Sequence, residues 1–268
     1  MTQPSSTRWA LVLGASSGFG AAVSCELAAR GFHIAGVHLD RKGTLPLVEQ
    51  TVQRITATGR QVRFFNVNAA DPEKRKEVLD QLEPAIKAGS PPGQVVVLLH
   101  SLAFGTLKPY IAPDPKDTIN QDQMNMTLDV MANSLVYWTQ DLFWRKLLGQ
   151  GSRIYAMTSS GGTRVWPNYG AVSAAKASLE SHMRQLALEL APHGITTNTI
   201  RAGVTDTPAL RKIPGSDQMI ELAKMRNPSH RLTTTDDVAK AIAALAVAET
   251  QWVTGNVIGV DGAEDIVG

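Results

Sequence analysis

Tyr169 and Lys176 are the two residues whose types and spacing best suit acid–base chemistry on a carbonyl compound. A phenol can donate a hydrogen bond to a carbonyl oxygen that gains negative charge, and a nearby ammonium group favours a lowered phenol pKa. The stretch that holds both is predicted to be helical. Seven steps of about 100° return to nearly the same helix face, about 10 Å further along the axis. The spacing therefore predicts a tyrosine–lysine pair on one helix face; the alternative is a packed aromatic ring and a solvated lysine.

A glycine-rich turn, Gly14–Gly20, lies between a short apolar run and a helical stretch near the start of the chain. Glycines in such a turn let the backbone approach a pyrophosphate closely, and the free N–H groups of the helix N-terminus then face the anion. The turn predicts a dinucleotide site, with a turn that binds no ligand as the alternative. Its predicted cofactor-binding residues are Gly14, Ser16, Ser17, Gly18, Phe19 and Gly20.

The residues after the second predicted strand bear on the choice of cofactor. A carboxylate at this strand end hydrogen-bonds an adenosine ribose, whereas an arginine there meets a 2′-phosphate. The neutral His38 stands near the usual place of the carboxylate, and Asp40 follows slightly later. Arg41 and Lys42 come directly after Asp40. We expect this basic pair to clamp the 2′-phosphate of NADPH, while Asp40 keeps NADH as an alternative and a solvated turn as another.

Short β-branched runs alternate with longer helical stretches along the chain. The predicted strands are Trp9–Leu13, Ile34–Leu39, Val62–Val67, Val95–His100, Arg153–Thr158, Thr196–Ile200 and Val257–Val260. The predicted helices are Gly18–Arg30, Leu45–Thr58, Pro72–Ala88, Gln121–Leu148, Tyr169–Ala191 and Thr235–Ala246. Several strands are apolar throughout, as in parallel sheets covered on both faces. The alternation predicts an α/β fold with a single Rossmann-type doubly wound parallel sheet of about seven strands. We expect one domain over residues 1–268, with a disordered tail at 1–7 and a flexible substrate-binding flap at 205–231.

Composition limits the classes of function. The chain has 268 residues, of which 43% are hydrophobic and 19% charged, and its formal net charge is +2. This balance fits a domain with a full core and provides no basic face for nucleic acid. The single cysteine, Cys25, excludes an internal disulfide and a zinc–thiolate cluster, and we expect no metal. The apolar runs are too short to span a membrane, and the N-terminus lacks a signal peptide's apolar region, so we expect a soluble cytoplasmic protein.

The GxxxGxG form of the first turn is similar to that of the short-chain dehydrogenase/reductase superfamily, and the resemblance extends over nearly the whole chain. Within this superfamily, the Tyr-x6-Lys spacing resembles the divergent branch of enoyl-acyl-carrier-protein reductases. Ordinary members carry Tyr-x3-Lys, and their tyrosine position is Val172 here. Segments 100–104 (His-Ser-Leu-Ala-Phe) and 129–134 also resemble the enoyl-reductase branch, and Met131 stands near the place where ordinary members have an asparagine.

Ser159 makes the site resemble a minority, NADPH-preferring branch of bacterial enoyl reductases. Many enoyl reductases carry a second tyrosine at this position, ten residues before Tyr169, whereas ordinary members carry a serine. The resemblance implies that Tyr169 binds the thioester carbonyl, that Lys176 holds the nicotinamide ribose and that Ser159 is a third catalytic residue. In an enoyl thioester, the hydride acceptor C3 lies about 2.5 Å from the carbonyl carbon, so a phenol displaced by one helical turn is the better donor.

The resemblance also implies the remaining binding residues. Val204 replaces the usual proline of the segment that grips the nicotinamide carboxamide, and it therefore retains a backbone donor. The implied cofactor-binding residues are Arg41, Lys42, Asn66, Val67, Ser101, Leu102, Ala103, Thr158, Lys176, Ala202, Gly203, Val204, Thr205 and Thr207. The implied substrate-binding residues are Phe104, Leu107, Tyr169, Leu210 and Ile213.

The expected activity is NADPH-dependent reduction of a trans-2-enoyl thioester in fatty acid biosynthesis, with hydride transfer to C3. The thioester would be carried by acyl carrier protein or by coenzyme A. Basic residues on or near the flap would meet an acidic carrier protein: Arg211, Lys212, Lys224 and Arg226. The resemblance also implies a homotetramer built on the long helices after Gln121 and Tyr169. Two alternatives stay open: a ketone or aldehyde (3-oxoacyl) reductase that uses Ser159 and Tyr169, and a catalytically silent NADP-binding sensor.

Overall fold

The fold is built on a parallel sheet of seven strands in the order β3-β2-β1-β4-β5-β6-β7. A computed structural model describes residues 7–247 and 249–267. The strands are β1 (Arg8–Leu13), β2 (His33–His38), β3 (Val62–Asn66), β4 (Gln94–His100), β5 (Arg153–Thr158), β6 (Thr196–Ala202) and β7 (Val257–Val260). Each strand begins within one residue of its predicted start. The predicted α/β fold with one doubly wound sheet is confirmed.

Helices cover both faces of the sheet. They are α1 (Gly18–Ala29), α2 (Leu45–Thr56), α3 (Pro72–Lys87), α4 (Gln121–Leu128), α5 (Ser134–Trp144), α6 (Gly170–Leu190), α7 (Ser216–Arg226) and α8 (Thr235–Val247). Successive side chains of a strand point to opposite faces, so β1 contributes to two cores. On one face, Leu11 lies in a buried cluster with Trp138 of α5 and Leu179 of α6. On the other face, Val12 lies in a buried cluster with Ile242 of α8.

The predicted helix Gln121–Leu148 is wrong in one respect, because a π-helical turn at Asp129–Asn133 divides it and α5 ends at Trp144. The side chains around the turn are joined by hydrogen bonds. Ser134 Oγ donates to the Val130 carbonyl oxygen at 2.9 Å, and His100 Nε2 lies 2.9 Å from Ser134 Oγ. Since the serine donates to the carbonyl, the histidine must donate to the serine. Burial lowers the pKa of His100 to about 3, with a further contribution from the Lys176 charge, so the ring is neutral and belongs to the core.

The segment between β6 and α8 contains helix α7, which lies inside the predicted flap at 205–231. Of the predicted disordered tail at 1–7, residues 1–6 lie outside the described residues. The boundaries of a single domain over residues 1–268 remain a prediction. Within the described part of the chain, no helix is both long enough and apolar enough to cross a membrane.

The core predicts a contrast between two tryptophans on helix α5. Trp138 is fully buried and its indole N–H donates to the Ala69 carbonyl oxygen at 2.8 Å, whereas the Trp144 side chain is 67% exposed. We expect Trp138→Ala to lower the free energy of unfolding by about 3–5 kcal/mol, because it leaves a cavity. Trp144→Ala, the matched control, should change it by less than about 0.5 kcal/mol. Urea denaturation of both variants measures the difference, and equal effects would contradict this assignment of the core.

Candidate active site

The glycine-rich turn lies where the strand order reverses, between β1 and its neighbours β2 and β4. In open α/β sheets, ligands bind in the crevice at such a point. Gly14 has a φ of +90°, and its N–H donates to the Val37 carbonyl oxygen of β2 at 2.8 Å. The Ser101 N–H donates to the Leu13 carbonyl oxygen, also at 2.8 Å, which holds the end of β4 against the same turn. A Cβ atom at Gly14 would lie 2.4 Å from the Ser101 carbonyl oxygen, so the turn requires glycine there.

The start of helix α1 fits the diphosphate of a dinucleotide. Ser17 occupies the N-cap position without a side-chain capping bond, and the first turn carries no acidic residue. The first N–H groups of the helix therefore remain free for an anion. Gly18 has a φ of +54°, and a Cβ atom there would lie 3.6 Å from Thr207 Cγ2. The structure thus brings Thr207, one of the predicted cofactor-binding residues, against the glycine-rich turn.

The end of β2 is braced by Asn66 of β3. The Asp40 N–H donates to Asn66 Oδ1 at 2.9 Å, and Asn66 Nδ2 donates back to the Asp40 carbonyl oxygen at 3.0 Å. Next to this pair, the Val67 N–H donates to the His38 carbonyl oxygen at 2.8 Å. Asn66 and Val67, two of the predicted cofactor-binding residues, therefore position the backbone of Asp40.

The Asp40 carboxylate points into the protein, whereas the side chains of Arg41 and Lys42 are exposed to solvent. His38 Nδ1 lies 2.9 Å from Asp40 Oδ2, and only 13% of the Asp40 side chain is exposed. Burial would raise the pKa of Asp40, but hydrogen bonds with Thr44, Ser16 and His38 lower it below its ordinary value. Arg41 and Lys42 are both exposed. The end of β2 thus carries one carboxylate, which suits a ribose, and two exposed cations, which suit a phosphate.

Lys176 lies buried on helix α6 and is held at the carboxyl end of β5. Its Nζ donates to the Met157 carbonyl oxygen at 2.7 Å. Burial lowers the pKa of Lys176 to about 8, and the charge of Glu180 opposes this change. Thr158 Oγ1 in turn donates to Glu180 Oε1 at 2.6 Å. Sequence reasoning assigned no role to Glu180, although its position four residues after Lys176 places it one helical turn away.

Tyr169 occupies the N-cap position of α6, one residue before the helix begins. Its ring packs on Gly161, where a Cβ atom would lie 2.5 Å from Tyr169 Cε1 and 3.2 Å from Ser159 Oγ. The structure therefore brings Tyr169 and Ser159 to the same glycine. Ser159 Oγ is buried and makes no hydrogen bond of standard length and angle to a described residue, although it lies close enough to Tyr169 to act on the pKa of the phenol. Such a buried hydroxyl group can be satisfied by a polar atom of a bound ligand.

The expectation of a lowered phenol pKa is wrong for the protein without ligands. Burial raises the pKa of Tyr169 above its ordinary value, and the neighbouring Ser159 hydroxyl group opposes the rise. Lys176 does not act on the phenol here, because its amino group is directed to the Met157 carbonyl oxygen. Tyr169 is therefore a neutral hydrogen-bond donor at neutral pH.

An apolar wall stands beside Tyr169. Val172, at the position where ordinary superfamily members have their tyrosine, is buried with Met131 and Ala175, and both Leu107 and Tyr169 pack against them. The wall depends on Gly105, whose Cβ atom would lie 2.7 Å from Thr127 Cγ2, 2.9 Å from Met131 Sδ and 3.1 Å from Val172 Cγ2. The predicted acyl-contact residue Leu107 is thus brought to Tyr169. Phe104 is 59% exposed at the start of the same loop.

The flap is attached to the loop that precedes Tyr169. Trp166 Nε1 donates to the Pro214 carbonyl oxygen at 3.0 Å, next to the half-buried Ile213. The Leu210 N–H donates to Thr207 Oγ1 at 3.2 Å, which joins the start of the flap to the diphosphate side of the cleft. Trp166 was missed by sequence reasoning, because only the folded chain places it against a segment almost 50 residues away.

Two of the four basic residues near the flap are already paired. Arg211 forms ion pairs with Asp206 and Asp217 at 2.6 and 2.7 Å, and Lys224 pairs with Glu221 at 2.9 Å. These exposed pairs neutralise much of the positive charge that an acidic carrier protein would meet.

Comparisons with known proteins identify the family to which the chain belongs. Residues 14–263 match the family described as Enoyl-(Acyl carrier protein) reductase. The chain is 26% identical over 259 residues, 96% of its length and 86% of the relative's, to a 1-cyclohexenylcarbonyl-CoA reductase of Streptomyces collinus. It is 33% identical over 169 residues, 63% of its length and 66% of the relative's, to an enoyl-[acyl-carrier-protein] reductase [NADH] of Enterococcus faecalis.

Among solved structures, a short chain dehydrogenase from Burkholderia cenocepacia in complex with NADP is similar in fold, with a TM-score of 0.79 and 26% identity. The match covers 96% of this chain and 98% of that one. The family match spans nearly the whole chain, from the glycine-rich turn to the residues after β7. The chain therefore belongs to the enoyl-(acyl carrier protein) reductase family of short-chain dehydrogenases/reductases, a family of oxidoreductases.

Proposed function

We propose that the protein is an NADPH-dependent enoyl-thioester reductase that saturates the C2–C3 double bond of a trans-2-enoyl thioester. The observation that carries the proposal is the spacing of Tyr169 and Lys176, seven positions apart in the sequence, while the usual phenol position holds the buried, apolar Val172. A carbonyl reductase needs a proton donor next to the carbon that receives hydride. In a Tyr-x6-Lys arrangement the phenol is displaced by about one helical turn relative to a Tyr-x3-Lys arrangement, and we expect this displacement to suit the oxygen of an enolate.

The side chains have separate tasks in this mechanism. A bound dinucleotide would supply the hydride that C3 of the substrate accepts. The Tyr169 hydroxyl group donates a hydrogen bond to the thioester carbonyl oxygen as negative charge develops on it. The Lys176 ammonium group orients the ribose hydroxyl groups, and the wall of Met131, Val172 and Leu107 excludes water from the acyl chain. Tyr169 or water then supplies the proton at C2.

The cofactor proposal rests on the end of β2. A nicotinamide dinucleotide is the cofactor expected for this family, and the exposed Arg41 and Lys42 favour NADPH. The carboxylate of Asp40 is engaged with His38, which reduces its repulsion of a 2′-phosphate. NADH is the second candidate, because Asp40 also stands beside the glycine-rich turn, within hydrogen-bonding reach of Ser16.

The biological setting follows from the relatives and is part of the proposal. A relative that acts on acyl carrier protein thioesters and another that acts on a coenzyme A thioester support either carrier and a role in acyl-chain reduction. We propose fatty acid biosynthesis in the cytoplasm and assembly as a homotetramer through α4, α5 and α6. A ketone or aldehyde reductase is the second candidate activity, favoured by the unsatisfied hydroxyl group of Ser159 beside Tyr169.

Removal of the phenol hydroxyl group should abolish most of the activity. We expect Tyr169→Phe to lower kcat for NADPH oxidation with crotonyl-coenzyme A by about 10²–10³, the usual cost of one oxyanion donor. Tyr137→Phe, a partly exposed tyrosine of α5, is the matched control and should leave the rate unchanged. Unchanged turnover by Tyr169→Phe, or faster turnover of acetoacetyl-coenzyme A than of crotonyl-coenzyme A by the native protein, would overturn the proposed reaction.

The pH dependence should follow Lys176. Its pKa of about 8 means that the ammonium form predominates below pH 8 and is lost above it. The value of kcat/KM for NADPH, which reports groups of the free enzyme, should therefore decline above pH 8 toward a tenfold fall per pH unit. Lys176→Arg, which keeps its charge throughout this range, should show no such decline. A native profile that stays flat to pH 10 would contradict the assigned role.

The basic pair should control the choice between cofactors. Arg41→Ala/Lys42→Ala should raise KM for NADPH by about tenfold or more, because charge-assisted bonds to the 2′-phosphate are lost. The KM for NADH, which lacks that phosphate, should stay within about twofold. Arg60→Ala, an exposed arginine before β3, serves as the control for a change in net charge. A native preference for NADH that the double variant does not alter would transfer the assignment to Asp40.

A further inference from the structure

The turn after β7 reaches back to the segment expected to grip the nicotinamide carboxamide. The Val204 N–H donates to both carboxylate oxygens of Glu264, each at 3.2 Å. Gly203 allows this approach, because a Cβ atom there would lie 2.8 Å from Glu264 Oε2 and 2.4 Å from Thr233 Oγ1. The Gly203 N–H is bonded as well, to the Val260 carbonyl oxygen at 3.2 Å. Both N–H groups of this dipeptide are thus held by the C-terminal residues.

The turn that carries Glu264 is attached to three segments around the cleft by ion pairs and a hydrogen bond. Asp265 forms ion pairs with Arg164 at 3.1 Å and with Arg201 at 3.0 Å. Arg164 lies in the loop before Tyr169, and Arg201 lies near the end of β6. Asn227, directly after α7, donates from Nδ2 to the Asp261 carbonyl oxygen at 2.9 Å. Glu264 therefore lies in a turn that is connected to the loop before Tyr169, to β6 and to the end of the flap.

The groups around Glu264 act in opposite directions on the pKa of its carboxyl group. Burial raises the pKa of this carboxyl group, and so do the charges of Asp261 and Asp265. The Val204 N–H and the more distant Arg164 act in the opposite direction. Among the groups that favour the charged form of this carboxyl group, the Val204 N–H contributes most.

We propose that Glu264 is a positioning residue that holds residues 203–207 in the conformation required by the nicotinamide end of the cofactor. The inference rests on the proposed function, which assigns the carboxamide to this segment. A proline at position 204 would restrict φ covalently but would have no N–H. Valine leaves φ less restricted, and the bond to Glu264 replaces the lost restraint. This hydrogen bond cannot be predicted from the sequence, because Val204 and Glu264 are 60 positions apart.

Two measurements made without substrate, one of binding and one of backbone dynamics, test the proposal. The first is the Kd for NADPH and for NADH from fluorescence titration, and the second is hydrogen–deuterium exchange of residues 203–207 in the protein alone. We expect Glu264→Ala to raise the Kd for the preferred dinucleotide about five- to tenfold and to accelerate exchange at 203–207 about tenfold, the effect of one lost hydrogen bond to a charged group. Glu264→Gln keeps an acceptor oxygen and should stay within about threefold of the native Kd. Glu249→Ala, an exposed acid after α8, is the control for a lost charge.

A double-mutant cycle separates the hydrogen bond from other effects of the substitution. Val204→Pro removes the donor, while Val204→Ala keeps it and serves as the matched control. In the Val204→Pro background, Glu264→Ala should add less than about a twofold change in Kd, because the bond is already absent. An undiminished effect in that background, or native Kd and exchange in Glu264→Ala, would overturn the proposal.

The two claims fail in different ways. If the native protein binds neither dinucleotide, the proposed function is wrong, and so is the role of Glu264 toward the cofactor. If it binds NADPH but reduces no enoyl thioester, only the proposed reaction is wrong, and the Kd and exchange results still decide the role of Glu264. Binding and turnover that are both native in Glu264→Ala would overturn the positioning role alone.

Discussion

The hydrogen bond from Lys176 to the Met157 carbonyl oxygen joins helix α6 to the carboxyl end of β5, and the geometry of the site depends on it. A buried ammonium group is costly unless it is hydrogen-bonded and close to a negative charge. The Met157 carbonyl oxygen and Glu180 meet these two requirements. With the helix fixed in this way, the position of Tyr169 seven residues earlier is fixed too. The chemistry then follows from which side chains face that phenol, and the described residues place an apolar wall and one unsatisfied serine there.

The remainder of the cleft is assembled from strand ends. Parallel strands bring their carboxyl ends to one edge, so the glycine-rich turn, Ser101, Ser159 and the segment after β6 lie at the same edge of the sheet although they are far apart in sequence. Glycines permit the close contacts at positions 14 and 105. Side-chain hydrogen bonds of Lys176 and Trp166 hold α6 and the flap at the cleft. The hydrogen bond from Val204 to Glu264 adds a further connection, at the position where the family that the sequence resembles usually has a proline.

Sequence patterns predicted most of this fold, because strand periodicity and the glycine-rich turn are local signals. The spacing of Tyr169 and Lys176 is a local signal of the same kind, and the roles assigned to the two residues remain a proposal. The π-helical turn at Asp129–Asn133 was not predicted, because a single turn with i→i+5 hydrogen bonds has no residue signature of its own in one sequence. Glu264 was also missed, since its partner Val204 is distant in sequence and a lone acidic residue near a terminus predicts nothing. The phenol pKa was misjudged because it depends on where the lysine side chain points.

A crystal structure of the ternary complex with the reduced dinucleotide and a non-reducible enoyl-thioester analogue tests the central claim most directly. The account predicts that Tyr169 Oη lies within about 3 Å of the thioester carbonyl oxygen. It also predicts that C3 of the analogue lies about 3–3.5 Å from C4 of the nicotinamide ring, a near-attack arrangement. A complex in which the carbonyl carbon lies over C4, with its oxygen on Ser159, would contradict the account and identify a carbonyl reductase.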